Sequence, residues 1–343
     1  MSNKPVVPVN IVCGALGAGK TTAIAKLLTS KPAQESWVVI LNEFTDTGLD
    51  TLTLAAAARG SYDVRMIPGG CLCCTGEEDF RTQLSSLLNN SVLPSRIIIE
   101  PSGIGHAGSI IEELRVFERS GAIKLHSVIV LIEPQRLQSL ETLPAIARDQ
   151  VESADVVLLS KAELADQDTR DRFTSWAGEL FPAKRLIGFS EQGILPPDAM
   201  SPPDTPFRFS QSKRNSTHHH VHDMNVVVRD SVVGNFQSQA RVHRYLNREA
   251  CGWIIPDDAM FDLQLVERKL QCAAGLFVPV ERFKAALRTG IDRWHLIQSW
   301  NDQLELREIA WRNDNRIEVQ LMENATTDWA QWDEWINSML IDG

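Results

Sequence analysis

The pattern of the chain predicts a doubly wound, mostly parallel α/β domain followed by a smaller α+β domain. Three observations carry this. Over the first 190 residues, short β-branched runs alternate with helical stretches. Residues 191–216 break that rhythm, with Pro196, Pro197, Pro202, Pro203 and Pro206 set among Ser, Asp, Gln and Asn, as in a linker or long surface connection. Beyond the break the core material changes, because seven of the nine tryptophans follow residue 250. The expected organisation is a first domain over 1–195, a Pro-rich linker over 196–216 and a second domain over 217–343.

In the first domain, strands are predicted at 9–13, 37–42, 96–100, 127–132, 155–159 and 185–189. Most are continuously apolar, as parallel strands covered on both faces must be. Stretches such as 20–30 and 78–88 between them read as helices. In the second domain, strands are expected at 225–229, 295–299, 305–311 and 316–322, and helices at 235–246, 279–288 and 328–340. Trp329, Trp332 and Trp335 follow at helical spacing and are expected to pack, and Cys251 beside Gly252-Trp253 is expected to be a buried thiol.

Composition narrows the function classes. The 343 residues are 43% apolar and 23% charged, values of a globular protein long enough to bury a sizeable core. A net charge of −10 argues against nucleic acid as a partner. No apolar run approaches the 18 or so residues of a membrane span, and the N-terminus does not read as a signal peptide. Of six cysteines, Cys71, Cys73 and Cys74 crowd together while Cys13, Cys251 and Cys272 stand alone. A secreted disulfide framework would spread them out, so the expectation is a cytoplasmic chain with metal or redox chemistry at the cluster.

Residues 14–21, Gly-Ala-Leu-Gly-Ala-Gly-Lys-Thr, match the phosphate-loop pattern and lie between an apolar strand and a helical stretch, which makes the sheet a P-loop sheet. Gly14, Gly17 and Gly19, with Ala18, let backbone N–H groups converge on phosphate oxygens at a helix N-terminus that continues into Thr22. Lys20 is expected at the β- and γ-phosphates and the Thr21 hydroxyl on Mg²⁺. Glu100 ends a predicted parallel strand, where the ligand crevice of an open α/β sheet opens, and is a second candidate for Mg²⁺. Gly103 would let the backbone approach the γ-phosphate. Ser160-Lys161-Ala162-Glu163 follows a later strand. There Glu163 can accept from guanine N1 and N2 while the Lys161 stem lies along the base. Ser160 and Glu163 stand where the usual guanine-reading tetrapeptide has Asn and Asp.

Adjacent Cys73 and Cys74 would form a strained disulfide, whereas Cys71, Cys73 and Cys74 suit one soft cation such as Zn²⁺. Three thiolates leave a coordination position open. A closed zinc site with a distant fourth ligand and a redox role are the alternatives. In an extended segment His218, His220 and His222 share one face and form a candidate secondary metal site, or else a solvated His-rich connection.

The combination resembles the CobW-type P-loop metallochaperone GTPases of the SIMIBI class. It rests on residues 14–22, Asn42-Glu43-Phe44, Gly69-Gly70-Cys71-Leu72-Cys73-Cys74 and Glu100-Pro101-Ser102-Gly103. Residues 250–254 (Ala-Cys-Gly-Trp-Ile) and 279–284 (Pro-Val-Glu-Arg-Phe-Lys) are similar to the C-terminal domain of the zinc-binding YeiR-like branch. The resemblance implies a GTPase, binding GTP or GDP with Mg²⁺, that carries zinc or a related divalent metal at the Cys cluster to a client metalloprotein. It adds Asp46 as an acidic metal ligand, where Asp stands in place of the family's Glu. Two rival classes remain open: a metal-binding regulator or buffer with nucleotide as an assembly signal, and an ATP-dependent small-molecule kinase. Whether the chain forms a homo-oligomer is left open by the sequence.

Overall fold

The computed structural model describes residues 5–41, 62–66, 77–101, 107–137, 143–202, 225–245, 248–271, 279–300 and 303–341. The chain divides into two compact units, residues 1–180 with 184–206 and residues 181–183 with 207–343.

Among the described residues the first unit has seven strands: β1 (Val7–Gly14), β2 (Trp37–Leu41), β3 (Tyr62–Met66), β4 (Arg96–Glu100), β5 (Ile123–Ile132), β6 (Val156–Ser160) and β7 (Leu186–Ser190). They form one sheet in the order β3-β2-β4-β1-β5-β6-β7, with every pairing parallel. Its α-helices among the described residues are α1 (Lys20–Ser30), α2 (Glu77–Leu88), α3 (Ala107–Arg119), α4 (Ala145–Ser153) and α5 (Gln167–Gly178). The central strands β1, β2, β4, β5 and β6 are mostly apolar because both faces are covered. On β1, Val9, Ile11 and Cys13 face a core with Phe80, Ile111, Val151 and Phe173 from α2 to α5. Val12 faces the other way, toward Ala23, Ile24 and Leu28 of α1. The doubly wound reading is therefore confirmed, and β3 is the strand that the apolar pattern did not reveal.

Residues 195–201, at the start of the Pro-rich stretch, belong to this packing. Leu195 and Ala199 are buried beside α1. Asn10 in the middle of β1 donates from Nδ2 to the carbonyls of Ser127 at 3.1 Å and Met200 at 3.3 Å. Arg185 donates to the Asp198 carbonyl at 2.8 Å. Residues 203–224 lie outside the described residues.

Among the described residues the second unit has a seven-stranded antiparallel sheet of β8 (Asn225–Val233), β9 (Phe236–Tyr245), β10 (Arg248–Ile255), β11 (Val280–Arg288), β12 (Trp294–Trp300), β13 (Gln303–Glu308) and β14 (Asn315–Leu321). Its order is β13-β12-β11-β14-β10-β9-β8. Helices α6 (Leu263–Gln271) and α7 (Trp329–Asn337) supply Val266, Leu270, Trp329, Trp332 and Trp335 to a core with Cys251, Trp253, Phe283, Val319 and their strand neighbours. This is the α+β unit expected, but two of its elements were misassigned. Residues 235–246 and 279–288, predicted as helices, form strands β9 and β11. On β9 the alternation is period two, with Ser238, Ala240 and Val242 buried and Gln237 and Gln239 exposed. On β11, Phe283, Ala285 and Leu287 reach the core, and pairing with β12 and β14 overrides the helix propensity of Glu, Lys, Ala and Leu. No described helix is long and apolar enough to cross a membrane.

Candidate nucleotide site

The carboxyl ends of β1, β4, β5, β6 and β7 gather one set of functional side chains, as an open parallel sheet does. The chain leaves β1 at Gly14, turns through the glycine-rich loop and enters α1 at Lys20. Gly14 and Gly19 have φ of 145° and 84°, backbone states that L side chains rarely adopt. A helix that opens directly behind such a loop points its free N–H groups at the loop's concavity.

Lys20 and Glu100 are both buried, 7% and 6% exposed, so the charges of the pair face each other with little water between. The Lys20 ammonium lies 3.9 Å from Glu100 Oε1 and donates to the Ala15 carbonyl at 3.3 Å. Thr21 Oγ1 donates to Glu100 Oε1 at 3.1 Å and lies 3.3 Å from Oε2. The hydroxyl comes from the first turn of α1 and the carboxylate from the end of β4, which pairs directly with β1. Hard oxygen donors, one hydroxyl and one carboxylate, fit Mg²⁺, which prefers few protein ligands and substrate phosphates. Cys13, one residue before the loop, does not compete. Burial pushes its thiol up to about 12, so it stays protonated.

In the segment expected to read the base, Ser160 closes β6, and its buried hydroxyl has no partner among the described residues. Lys161 takes a left-handed φ of 50°. Its ammonium donates to Glu133 Oε1 at 2.6 Å. Glu163 accepts from the Gln192 backbone N–H at 2.9 Å, and that bond holds its carboxyl below the usual carboxylate range. The turn after β7 then closes on the phosphate helix, for a Cβ on Gly193 would stand 2.9 Å from the Thr22 methyl. Sequence reasoning missed Glu133 and the turn at 191–194. The available signal for Glu133 was the same one that located Glu100, an acid at the C-terminal end of a parallel strand.

The structure thus brings together Gly14, Gly17, Ala18, Gly19, Lys20, Thr21, Thr22 and Glu100 in one region and links Lys161, through Glu133, and Glu163, through the 191–194 turn, to its rim, with Ser160 next to Lys161 at the end of β6. Asp46, Cys71, Cys73, Cys74, Gly103, His218, His220 and His222 lie outside the described residues.

A glycine-rich loop opening a helix at the carboxyl edge of a parallel sheet, with Lys, Thr and Glu converging behind it, defines a phosphate-loop nucleotide-binding protein. Residues 8–187 match the family described as CobW/HypB/UreG, nucleotide-binding domain. The chain belongs to that family. It is 30% identical over 327 residues to "Zinc chaperone YeiR" of Escherichia coli (strain K12), spanning 93% of this chain and 94% of the relative. It is 27% identical over 190 residues to "Zinc chaperone CobW" of Sinorhizobium sp, spanning 48% and 53%. Among solved structures, the Zn(II)-bound YjiA GTPase from E. coli aligns over 98% of both chains at 16% identity and a TM-score of 0.46, too low to carry a residue-level correspondence.

Proposed function

We propose that this protein is a GTP-hydrolysing metallochaperone. It binds zinc, or a related divalent metal, through Cys71, Cys73 and Cys74 and couples its nucleotide state to delivery of that metal to a client metalloprotein. The observation that carries the hydrolytic half is the convergence of Lys20, Thr21 and Glu100 behind the phosphate loop. The zinc half rests on the three closely spaced thiols and on the near full-length likeness to a protein named a zinc chaperone. Thiols of this kind stay free in a reducing compartment, so we assign the protein to the cytoplasm.

Backbone N–H groups from Gly17 to Thr22 bind the phosphate oxygens, and Lys20 stabilises charge on the transferring phosphoryl group. Thr21 and Glu100 would hold Mg²⁺, which when bound neutralises charge on the β- and γ-phosphate oxygens. The nucleophile is water. Gly103 would let the backbone approach the γ-phosphate. Glu163 accepts from the guanine donors, and Lys161 lays its stem along the base. Ser160 is shorter than the usual Asn and cannot span as far, so guanine selection is looser than in an Asn-Lys-x-Asp protein. The thiolates hold zinc as cargo, and Asp46 completes its ligand set in one nucleotide state. His218, His220 and His222 form a weaker secondary site.

The deciding experiment is GTP turnover with labelled-nucleotide competition. The wild type should hydrolyse GTP slowly and prefer it to ATP. Lys20→Ala should lose about 10²–10³-fold in turnover, the usual cost of removing one preorganised charge-stabilising group. Unchanged turnover in the purified variant would sink the assignment. Tighter ATP than GTP binding would favour a small-molecule kinase.

A further inference from the structure

One carboxylate at the site has no part in that scheme. Glu133 follows β5 and is nearly enclosed, its side chain 14% exposed. It faces two elements at once. On one side its Oε1 and Oε2 stand 3.6 and 3.9 Å from where a Cβ on Gly17 would lie, in the middle of the phosphate loop. On the other side Oε1 accepts from the Lys161 ammonium at 2.6 Å. Arg136 Nε is 3.7 Å from Oε2, three residues on in the same turn.

A carboxylate beside an anion-binding loop opposes phosphate by simple Coulomb repulsion. Its presence needs a compensating gain, and Lys161 supplies a candidate. The Lys161 backbone sits in the left-handed region, which costs a non-Gly residue free energy and persists only where the surroundings over-determine it. Its four-carbon stem is flexible, and a flexible stem is a poor platform for a flat base unless its end is pinned. The 2.6 Å bond to Glu133 pins that end.

We propose that Glu133 is a positioning residue for nucleotide recognition: it fixes the Lys161 side chain as the platform for the purine base and sets that platform in register with the phosphate loop. This rests on the guanine-nucleotide reading above. The role predicts effects of opposite sign on the two parts of the ligand. Removing Glu133 frees the platform and weakens binding that depends on the base. It also removes a negative charge beside Gly17, so binding of phosphate alone is not weakened.

The test is a double-mutant cycle on the full chain, with fluorescent GDP as the probe and inorganic pyrophosphate as a base-free competitor. Glu133→Ala should weaken GDP about tenfold, the scale of losing one hydrogen bond to a charged group. Pyrophosphate affinity should stay equal or rise. In a Lys161→Ala background the further change of Glu133→Ala should leave GDP affinity within about twofold, since coupled residues are non-additive. If Glu133→Ala does not fold, Glu133→Gln, which keeps the shape and loses the charge, is expected to reproduce the pattern with a smaller GDP loss. Unchanged GDP affinity in the variant overturns the proposal. So does an equal loss of GDP and pyrophosphate, which marks a merely structural role, and so does full additivity with Lys161→Ala. A wild type that binds pyrophosphate but not guanine nucleotides instead removes the guanine reading, which separates the two failures.

Discussion

Gly14 and Gly19 are identical letters in the loop pattern, yet the structure asks different things of them. A Cβ on Gly14 would stand 2.7 Å from the Leu131 carbonyl and 3.1 Å from the Ala18 Cβ, and the first is backbone of a paired strand that cannot yield. A Cβ on Gly19 meets nothing within 4 Å, so only its φ of 84° resists. Left-handed backbone costs an L residue on the order of 1–2 kcal/mol. Gly14→Ala should therefore destabilise the first unit by more than Gly19→Ala, with the latter near that figure. Denaturant unfolding of both variants checks the order, and equal losses would refute it. The same scale explains what was legible in the sequence. Gly14, Lys20 and Thr21 are held by one contiguous pattern, and reading it needs no knowledge of the fold. Glu133 meets Gly17 and Lys161 only because β5 lies between β1 and β6, an adjacency that no local pattern contains.

Helix α7 shows what an element adds. Its N-terminus is capped by Asp328, whose side chain accepts from the Ala330 N–H at 3.0 Å. Its tryptophans at i, i+3 and i+6 line one face. Trp332 is fully buried, with ring centroids 5.4 Å from Trp335, 6.2 Å from Trp329 and 6.5 Å from Trp253. Asp333 on the same helix accepts from Trp253 Nε1 at 2.8 Å and Ser231 Oγ at 2.9 Å, which fastens the helix to β10 and β8. Trp332→Ala should cost about 3–5 kcal/mol, the range for emptying a buried aromatic site. A loss below about 1 kcal/mol in chemical denaturation would contradict the packing described. This helix was readable because its aromatic spacing has one interpretation. Strand β9 was not, since its outward residues Gln237, Gln239 and Arg241 and its inward Ser238 and Ala240 blur the polar alternation. The better signal lay beside it. Val233 pairs with Phe236 across Gly234-Asn235, a two-residue hairpin with Gly234 at φ 61°. For β11, local helix propensity and the antiparallel pairing point in opposite directions, and the pairing wins.

At the scale of the whole molecule, the proposed activity is a coupling between two ligands and is not contained in either site alone. The phosphate loop at 14–21 and Glu100 bracket the Cys71, Cys73 and Cys74 cluster in sequence. In the proposed scheme three soft ligands leave room for a fourth, with Asp46 as the candidate that the γ-phosphate would bring in or release. One zinc ion should then bind with different affinity in the GDP and GTP states. A coupling free energy on the order of 1–3 kcal/mol corresponds to about 5–150-fold. Linkage is reciprocal for binding, so zinc must change GTP affinity by the same factor. Titrations with a competing zinc chelator, run with GDP and with a nonhydrolysable GTP analogue, measure one arm. Nucleotide titrations with and without zinc measure the other, and the two factors must agree. A triple Cys→Ser variant should lose the tight zinc site while keeping nucleotide affinity in the zinc-free state. Equal zinc affinity in all nucleotide states would reduce the cluster to storage. Stoichiometric zinc retained by the triple variant would move the site elsewhere, with His218, His220 and His222 as the next ligands to replace.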